Sequence, residues 1–598
     1  MRVADYITQR LYEAGGEHVF LVTGGMIMHL TDALVQHGRQ SYVCCHHEQS
    51  ATMAAEAYGR YTGKLGVAYV TAGPGALNTI TGVVGAYVDS APCIVVAGQS
   101  KVAHATITGP RQFALQGFDN LPLFQHVTKY AAMLTDPAMV RYELEKAIFL
   151  ATHGRPGPVY LECPVDVQAM EFDPHAAKSF DPSLESDFEE LFEIRSSEIE
   201  SLLARLKDAR RPCILAGAGV RSANAIELLH AFAEHFDIPV MTSRLGMDLI
   251  GDDHPLFIGR PGTYGDRPAN FAIQNCDLLL VVGCRLGMGI VGYGDPKDFA
   301  PHAFKIAVDV DEQELAKPLV QFDQVFQLDA GAFLRAMLSN DALAAKRPRW
   351  IAQIQEWRCR YPVDLPEYAG EPTGINSYHF TRLFSESLDR NAIVVLDTGS
   401  CFHVHAQAFK VKFGQRHIIT GGLSTMGYSP ASIGVAAAAQ GHDVYCITGD
   451  GSVQFNLQEF ETIAYNKLPV KTIIYNNGGY LLIRLTQSNF CENRRIGESA
   501  RTGVGFPDMA KIADAYGIHY IRIASEGELD AKLEELKAYQ GPVICEVLNP
   551  PEQLLIPRVA SRKREDGRME SMPFDDMFPF LPREEYQANC VWQTWGEA

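Results

Sequence analysis

The chain has 598 residues, 21% charged and 47% apolar, so we expect two to four globular domains and exclude a disordered chain. Its 52 basic and 71 acidic residues leave a formal charge of -19 with no basic stripe, which argues against nucleic acid or an anionic membrane as a partner. The 13 cysteines form no CxxC pair, and no apolar run reaches the roughly 18 residues of a membrane span. We therefore expect a cytoplasmic protein that is neither exported nor membrane-spanning.

The N-terminal part alternates short apolar runs with helical patterns. The runs are VFLV at 19–22, GVAYV at 66–70 and CIVVAG at 93–98, and the segment EQSATMAAEAYGRYTG has helical spacing. This alternation predicts a doubly wound parallel sheet in a first domain over 1–170. An acidic stretch containing prolines, 172–190, is typical of a linker.

The same alternation returns twice further along the chain. The runs PCILAGAGV, IPVMTS, DLLLVVG and FKIAVDVD predict a central domain over 190–345, and AIVVLD, HIIT, VYCIT and KTIIYNN predict a third domain over 373–550. The predicted fold class is α/β, with three doubly wound parallel-sheet domains. Residues 551–598 are irregular and aromatic, and we expect this C-terminal tail to pack back onto the body.

The segment 444–480 carries the strongest chemical signal, in the order strand, Gly-Asp-Gly turn, amphipathic helix, strand, Asn-Asn-Gly. Because the strands of a parallel βαβ unit end at the same sheet edge, we expect Asp450 and Asn477 to meet there. Mg²⁺ prefers such oxygen ligands together with phosphate, and a helix beginning near Ser452 would direct free N-H groups at an anion. The pattern predicts a diphosphate bridged by Mg²⁺, and the alternative is two ordinary β-turns.

GDGS, followed 27 residues after its Asp by the second Asn of NNG, resembles the thiamine diphosphate motif. The resemblance extends over nearly the whole chain to the acetolactate synthase-like branch, which has pyrimidine-binding, central and diphosphate-binding domains. Further matching landmarks are TGGMIMHLTDAL near 23–34, HHEQSATMAAEAYGR at 46–60, TAGPGALN at 71–78, GPVYLECPVDV at 157–167 and GGLSTMGYSPASIG at 421–434.

The resemblance implies a complete cofactor site. The metal ligands would be Asp450, Asn477 and the backbone carbonyl of Gly479. Cofactor contacts would come from Gly399, Ser400, Ser424, Met426, Gly449, Asp450, Gly451, Ser452, Asn477, Gly479 and Tyr480. Relatives often have Gln-His just after the glycine at 399, where this chain has Ser-Cys. Met426 would be the bulky apolar side chain under the cofactor, and an ordinary core methionine is the alternative.

Glu48 is the candidate catalytic carboxylate. A Glu hydrogen-bonded to the ring nitrogen of the aminopyrimidine can shift that ring to its imino tautomer, whose nitrogen then serves as the base. The alternative is an exposed Glu at a helix start, stabilised by the helix dipole. By similarity, Gly25 and Gln116 would line the side where the substrate carbonyl becomes an alkoxide. His46 and His47 are candidates for proton relay or for a structural role.

Two departures from the family concern the acceptor. Acetolactate synthases have an RFDDR-like segment whose second Arg meets the carboxylate of the acceptor, and here RLGMG places Gly289 at that position. The family's Met and Trp beyond the metal motif are Leu482 and Thr486, which form the predicted substrate pocket together with Met26. We therefore expect a thiamine diphosphate- and Mg²⁺-dependent carboligase or lyase that takes a 2-oxo acid or related donor and a neutral ketone or aldehyde acceptor.

Other functions stay open at this point. The chain could be a non-oxidative 2-oxo acid decarboxylase, a C-C hydrolase or a true acetolactate synthase. A different class is a nucleotide-binding oxidoreductase or a catalytically silent regulator built on the GAGV segment that begins at Gly217. That segment is not a full GxGxxG fingerprint, so FAD binding is left open. The resemblance also implies a homodimer or homotetramer that binds small carbonyl substrates between subunits.

Overall fold

The computed structural model describes residues 1–107, 109–184, 194–339, 345–563 and 569–595. The chain divides into two compact units. The first contains Met1–Glu189, Ile393–Gly399 and Ile418–Leu548, and the second contains Glu190–Ala392, Ser400–His417 and Asn549–Ala598. The end of the predicted linker, the start of the predicted central domain and parts of the tail lie outside the described residues.

The N-terminal part of the first unit is built around one parallel sheet. Its strands are β1 (His18–Leu21), β2 (Ser41–Cys44), β3 (Gly66–Val70), β4 (Cys93–Gln99), β5 (Tyr130–Met133) and β6 (Pro158–Pro164). The strand order is β2-β1-β3-β4-β6-β5. Its helices are α1 (Val3–Glu13), α2 (Met28–His37), α3 (Glu48–Thr62), α4 (Pro74–Asn78), α5 (Ile80–Asp89), α6 (Val102–Ala105), α7 (Leu121–Gln125), α8 (Pro137–Thr152) and α9 (Val165–Ala169).

The second unit contains the central sheet. Its strands are β7 (Pro212–Ala216), β8 (Val240–Thr242), β9 (Phe257–Gly259), β10 (Leu278–Val282), β11 (Phe304–Asp309) and β12 (Gln324–Gln327), in the order β12-β11-β10-β7-β8-β9. Its helices are α10 (Ser196–Asp208), α11 (Gly219–Ser222), α12 (Ile226–Phe236), α13 (Arg267–Asn275), α14 (Met288–Val291), α15 (Glu312–Ala316), α16 (Ala330–Leu338), α17 (Pro348–Arg360), α18 (Ser377–Ser387) and α19 (Ser400–Ala408).

The third sheet contains β13 (Ile393–Leu396), β14 (Arg416–Ile419), β15 (Val444–Gly449), β16 (Val470–Asn476), β17 (His519–Ile523) and β18 (Val543–Leu548). The order β14-β13-β15-β16-β18-β17 repeats the order of the first sheet, whereas the central sheet has a different order. The helices that follow β14 are α20 (Ala431–Ala438), α21 (Glu459–Tyr465), α22 (Leu481–Phe490), α23 (Met509–Ala515) and α24 (Leu529–Ala538). The predicted fold class of three parallel α/β sheets is confirmed.

The C-terminal tail packs within the second unit, as expected. The Trp357 indole N-H donates to the side chain of Asn589 over 2.8 Å, and the Arg267 guanidinium donates to the Met577 carbonyl over 3.1 Å. The tail also contains the antiparallel pair β19 (Ser561–Lys563) and β20 (Met569–Ser571) and the short helices α25 (Arg583–Ala588) and α26 (Val591–Thr594). Among the described helices, none combines the length and the apolar character needed to cross a membrane.

Candidate active site

Two loops at one edge of the third sheet carry the predicted metal ligands. Gly449 of β15 pairs with Tyr475 of β16, so Asp450 and Asn477 follow neighbouring strand ends. The Asp450 carboxylate is 3% exposed and accepts hydrogen bonds from the backbone N-H groups of Gly451, at 2.8 Å, and Gly479, at 2.9 Å. Burial raises the pKa of Asp450 to about 7, although these amides oppose the shift. A bound cation would restore the charged carboxylate.

Asn477 provides the second oxygen. Its Oδ1 atom is buried and has no hydrogen-bond partner among the described residues. Buried polar atoms are nearly always paired, so this oxygen is available to a ligand. The neighbouring Asn476 is already satisfied, since it donates to Glu546 over 2.7 Å and accepts from the Gly478 N-H over 3.0 Å. A buried carboxylate beside an unpaired amide oxygen fits a hard divalent cation such as Mg²⁺.

We define residues 476–480 as the cation loop, and glycine is required both within this loop and in the Gly-Asp-Gly turn beside it. Gly479 has a φ of +149°, and a Cβ there would lie 2.0 Å from the Glu498 carbonyl oxygen. A Cβ at Gly451 would lie 2.2 Å from the ring of Tyr480. The Tyr480 ring therefore lies directly against the Gly-Asp-Gly turn, and its backbone N-H donates to the Glu498 carbonyl over 2.8 Å.

The structure has a helix beginning at Ser452, as predicted, but its first turns are of the 3₁₀ type. Residues Ser452–Asn456 form a 3₁₀ helix, and α21 begins only at Glu459. Side chains hold the tighter turn, because the Gln454 amide donates to the Asp450 carbonyl over 2.8 Å and the Asn456 amide donates to the Gly427 carbonyl over 2.6 Å. Each of these bonds ties the turn to a segment that carries predicted site residues.

Asp397, which follows β13, is a site residue that the sequence did not reveal. It is fully buried and accepts hydrogen bonds from the Thr398 N-H at 2.7 Å and from the hydroxyls of Thr448 and Ser452, each at 2.8 Å. Burial raises its pKa to about 6, and these donors oppose the shift. Asp397 thus joins the end of β13 to the Gly-Asp-Gly turn. The only signal was an acidic residue at the end of an apolar run.

The predicted residues around the cofactor lie on several loops. Gly399 has a φ of +108°, and a Cβ there would meet open space. The hydroxyls of Ser424 and Thr398 are 2.6 Å apart. Met426 is half-buried. Ser400 begins α19 in the second unit.

Glu48 is the first residue of α3 and is half-buried. Its Oε2 accepts a hydrogen bond from the Asn78 amide at 2.9 Å, and Asn78 is a partner that the sequence did not reveal. A Cβ at Gly75 would lie 3.4 Å from Oε1 of Glu48. His47 caps α3, because its Nδ1 accepts from the Gln49 N-H over 3.1 Å. This contact gives His47 the structural role that the sequence left as an alternative.

Three further predicted residues lie in loops of the first domain. Gly25 and Met26 belong to a short 3₁₀ turn, and the Met26 carbonyl accepts from the Gln168 amide over 2.7 Å. Gln116 has a φ of +59° and is exposed. Its carbonyl oxygen would lie 2.6 Å from a Cβ at Gly73, so its backbone lies against the TAGPGALN segment that also contributes Asn78.

The residues at the two departures from the family pattern lie on different helices. Leu482 is half-buried and Thr486 exposed, and they lie one turn apart on α22, where the Thr486 hydroxyl donates to the Leu482 carbonyl over 2.9 Å. Gly289, in the second unit, is exposed, and a Cβ there would meet open space.

Comparison with known sequences identifies the family. Models of the thiamine pyrophosphate enzymes match the chain in order, with the N-terminal TPP binding domain at 1–123, the central domain at 199–337 and the C-terminal TPP binding domain at 397–547. The probable acetolactate synthase large subunit of Methanocaldococcus jannaschii is 32% identical over 572 residues, 93% of each chain. The chain belongs to the thiamine pyrophosphate enzyme family, in its acetolactate synthase-like branch.

Other relatives have the same description and similar coverage. The acetolactate synthase large subunit of Lactococcus lactis is 29% identical over 96% of each chain. The acetolactate synthase isozyme 2 large subunit of Escherichia coli is 32% identical over 551 residues, 92% of this chain and 95% of the relative. The resemblance inferred from the motifs is therefore confirmed, and the two matched TPP binding domains support thiamine diphosphate as the cofactor.

Proposed function

We propose that the chain is a thiamine diphosphate- and Mg²⁺-dependent carboligase that joins a 2-oxo acid or related carbonyl donor to a neutral ketone or aldehyde. The observation that carries the Mg²⁺ assignment is the buried pair at the third sheet. Asp450 is buried with a raised pKa, and Asn477 Oδ1 has no partner among the described residues. When bound, thiamine diphosphate supplies a carbon nucleophile for attack on a carbonyl.

The chain's own residues have distinct roles in this proposal. Asp450, Asn477 Oδ1 and the Gly479 carbonyl would hold the cation. Glu48 would hold a proton at the pyrimidine ring nitrogen through Oε1, because Oε2 is already oriented by Asn78. The remaining diphosphate and ring contacts would come from Gly399, Ser400, Ser424, Met426, Gly449, Gly451, Ser452 and Tyr480.

On the substrate side, Gly25 and Gln116 would face the developing alkoxide and Met26 would line the pocket. Only Nε2 of His47 is available to relay a proton, since Nδ1 accepts the hydrogen bond that caps α3. This tautomer places a proton on Nε2 of the neutral ring, so His47 would act there as a donor.

The acceptor assignment rests on Gly289 and Thr486. Glycine offers no group to a carboxylate, and threonine is much smaller than the family's tryptophan. Loss of a charge-assisted bidentate contact costs about 1.5 to 3 kcal/mol, or roughly one to two powers of ten in discrimination. This favours a neutral acceptor. The relatives' names favour the alternative of a true acetolactate synthase. A decarboxylase or C-C hydrolase would use the same donor step without an acceptor.

Initial rates with pyruvate alone, compared with pyruvate plus a panel of neutral carbonyl acceptors, test the acceptor assignment. The panel should include keto sugars and cyclic ketones. We expect slow acetolactate formation and faster carbon-carbon bond formation with a neutral acceptor. If acetolactate forms fastest, with a low KM for the second pyruvate, a residue other than those at 289 and 486 anchors the carboxylate. Release of free aldehyde or acid with every acceptor would favour the decarboxylase or hydrolase.

The assembly belongs to the same proposal. We infer a homodimer or homotetramer whose active sites lie between subunits, with the Glu48 domain of one subunit facing the Asp450 domain of another. FAD is left open by the sequence, and the absorbance spectrum of released cofactors decides whether it is present.

A further inference from the structure

A buried salt bridge lies beside the cation loop. Arg484 of α22 and Glu498 are joined over 2.6 Å between Nε and Oε2, and their side chains are only 4% and 2% exposed. The Arg484 guanidinium also donates to the carbonyls of Asn477, over 3.4 Å, and Gly478, over 3.3 Å. Arg484 therefore contacts the backbone of the loop that carries the proposed metal ligands.

Glu498, the other partner in the salt bridge, also contacts the cation loop. Its carbonyl accepts the Tyr480 N-H, and it lies so close to Gly479 that a side chain there is excluded. The Glu498 carboxylate accepts the Arg484 Nε-H at Oε2 over 2.6 Å, so the two side chains form a buried charge pair. The Ser499 hydroxyl donates to the other carboxylate oxygen, Oε1, over 2.8 Å.

The charges on this pair have opposite effects on a cation in the loop. The Arg484 guanidinium donates to the carbonyls of Asn477 and Gly478, so the field of its positive charge reaches the loop proposed to bind the metal. The same field repels a divalent cation. A buried charge acts over a longer range than an exposed one because water screens it poorly. Glu498, in direct contact with Arg484, cancels most of this repulsion.

We propose that Arg484 and Glu498 are positioning residues for the cation: Arg484 fixes the carbonyls of the cation loop, and Glu498 neutralises Arg484 so that the loop can accept Mg²⁺. This inference rests on the proposed function of Asp450 and Asn477. It assigns neither residue a contact with substrate or cofactor. Arg484 thus affects the shape of the loop, and Glu498 affects the charge beside it.

The test measures the Mg²⁺ concentration needed for half-saturation of thiamine diphosphate binding, by equilibrium dialysis of the full-length, metal-depleted protein. Glu498→Gln keeps the size and most hydrogen bonds but leaves Arg484 uncompensated, so we expect about a tenfold higher Mg²⁺ requirement. The value of kcat at saturating Mg²⁺ should stay within about twofold. Glu145→Gln, which removes the charge from the Arg141–Glu145 pair at 3.0 Å, is the matched control and should change nothing.

The double variant Arg484→Met with Glu498→Gln separates charge from packing. It removes both charges, so the Mg²⁺ requirement should return to within about threefold of wild type, the remainder reflecting the lost carbonyl contacts. A requirement as high as that of Glu498→Gln alone would overturn charge compensation. An unchanged requirement in Glu498→Gln would overturn it as well.

Two further results keep this inference separate from the proposed function. Should Glu498→Gln fail to fold, the double variant and Glu498→Asp carry the test. Glu498→Asp keeps the charge and should bind Mg²⁺ within about threefold of wild type, and a tenfold loss would contradict the inference. If wild type shows no Mg²⁺-dependent thiamine diphosphate binding, the proposed function itself fails. If wild type binds and Asp450→Ala does not, only the role of Arg484 and Glu498 is under test.

Discussion

Ionisation of the buried Asp450 should lower the stability of the metal-free protein at neutral and alkaline pH. Asp450→Asn removes the ionisable group and should therefore remove this loss of stability. Burial raises the pKa of Asp450 from its ordinary 3.8 to about 7. A pKa that is higher in the folded state means that the linked stability is present below about pH 4 and is lost as the pH rises through about 7. The resulting cost is about 4 kcal/mol at about pH 8 and about 2 kcal/mol at about pH 5.5, and structural relaxation reduces both values.

The assay is thermal unfolding of metal-depleted wild type and Asp450→Asn at several pH values. We expect the variant to melt at a higher temperature, by an amount that grows from acid to alkaline pH. Other buried acids with raised pKa values, such as Glu56 at about 7, Asp397 at about 6 and Asp575 at about 7, are present in both proteins and cancel in the comparison.

The second half of the assay adds Mg²⁺ and thiamine diphosphate. A ligand that binds only the folded state raises the melting temperature, so wild type should gain stability and the variant should gain little. A metal-free variant that melts no higher than wild type at any pH would refute the reasoning. A difference that shrinks as the pH rises would refute it as well.

Three further predictions concern the site. Glu48→Gln should keep the fold and cofactor binding but lower kcat at least about a hundredfold, because an amide cannot hold the same proton; normal turnover at saturating cofactor would contradict the assignment. Gly479→Ala should abolish Mg²⁺-dependent cofactor binding in equilibrium dialysis, because its φ is +149° and the added Cβ would lie 2.0 Å from the Glu498 carbonyl oxygen. Gly478→Ala is strained by a φ of +71° but its Cβ meets open space, so its effect should be milder. Mixed Glu48→Ala and Asp450→Ala chains should regain about a quarter of the wild-type sites if subunits exchange at random, and an exchanged mixture that stays inactive would contradict sites between subunits.

Much of the fold follows from the sequence because the central strands are long, apolar and buried on both faces. β4 and β15 are examples, and both were recognised as apolar runs. The edge strands were harder to recognise. Three of the four residues of β2 are exposed, and two of the four residues of β12 are glutamine, so neither forms an apolar run. A strand with one side uncovered carries little hydrophobic signal.

The meeting of Asp450 and Asn477 could be predicted because one βαβ unit contains both residues. Their supporting contacts could not, since they join residues that are distant along the chain. Asn78 reaches Glu48 across 30 residues, and Asp397 accepts from Ser452 across 55. No local spacing encodes such pairs. The 3₁₀ helix that follows Asp450 also depends on a distant partner, because its Asn456 amide donates to the Gly427 carbonyl.

The most direct test of the cofactor assignment is to incubate the purified protein with thiamine diphosphate and Mg²⁺, remove unbound ligand, denature the protein and identify what it releases. Mass spectrometry and absorbance identify the organic molecules, and elemental analysis counts the metal. We expect about one thiamine diphosphate and one Mg²⁺ per chain from wild type and neither from Asp450→Ala. Release of a nicotinamide or flavin cofactor without thiamine diphosphate would contradict the assignment of Asp450, Asn477 and Glu48.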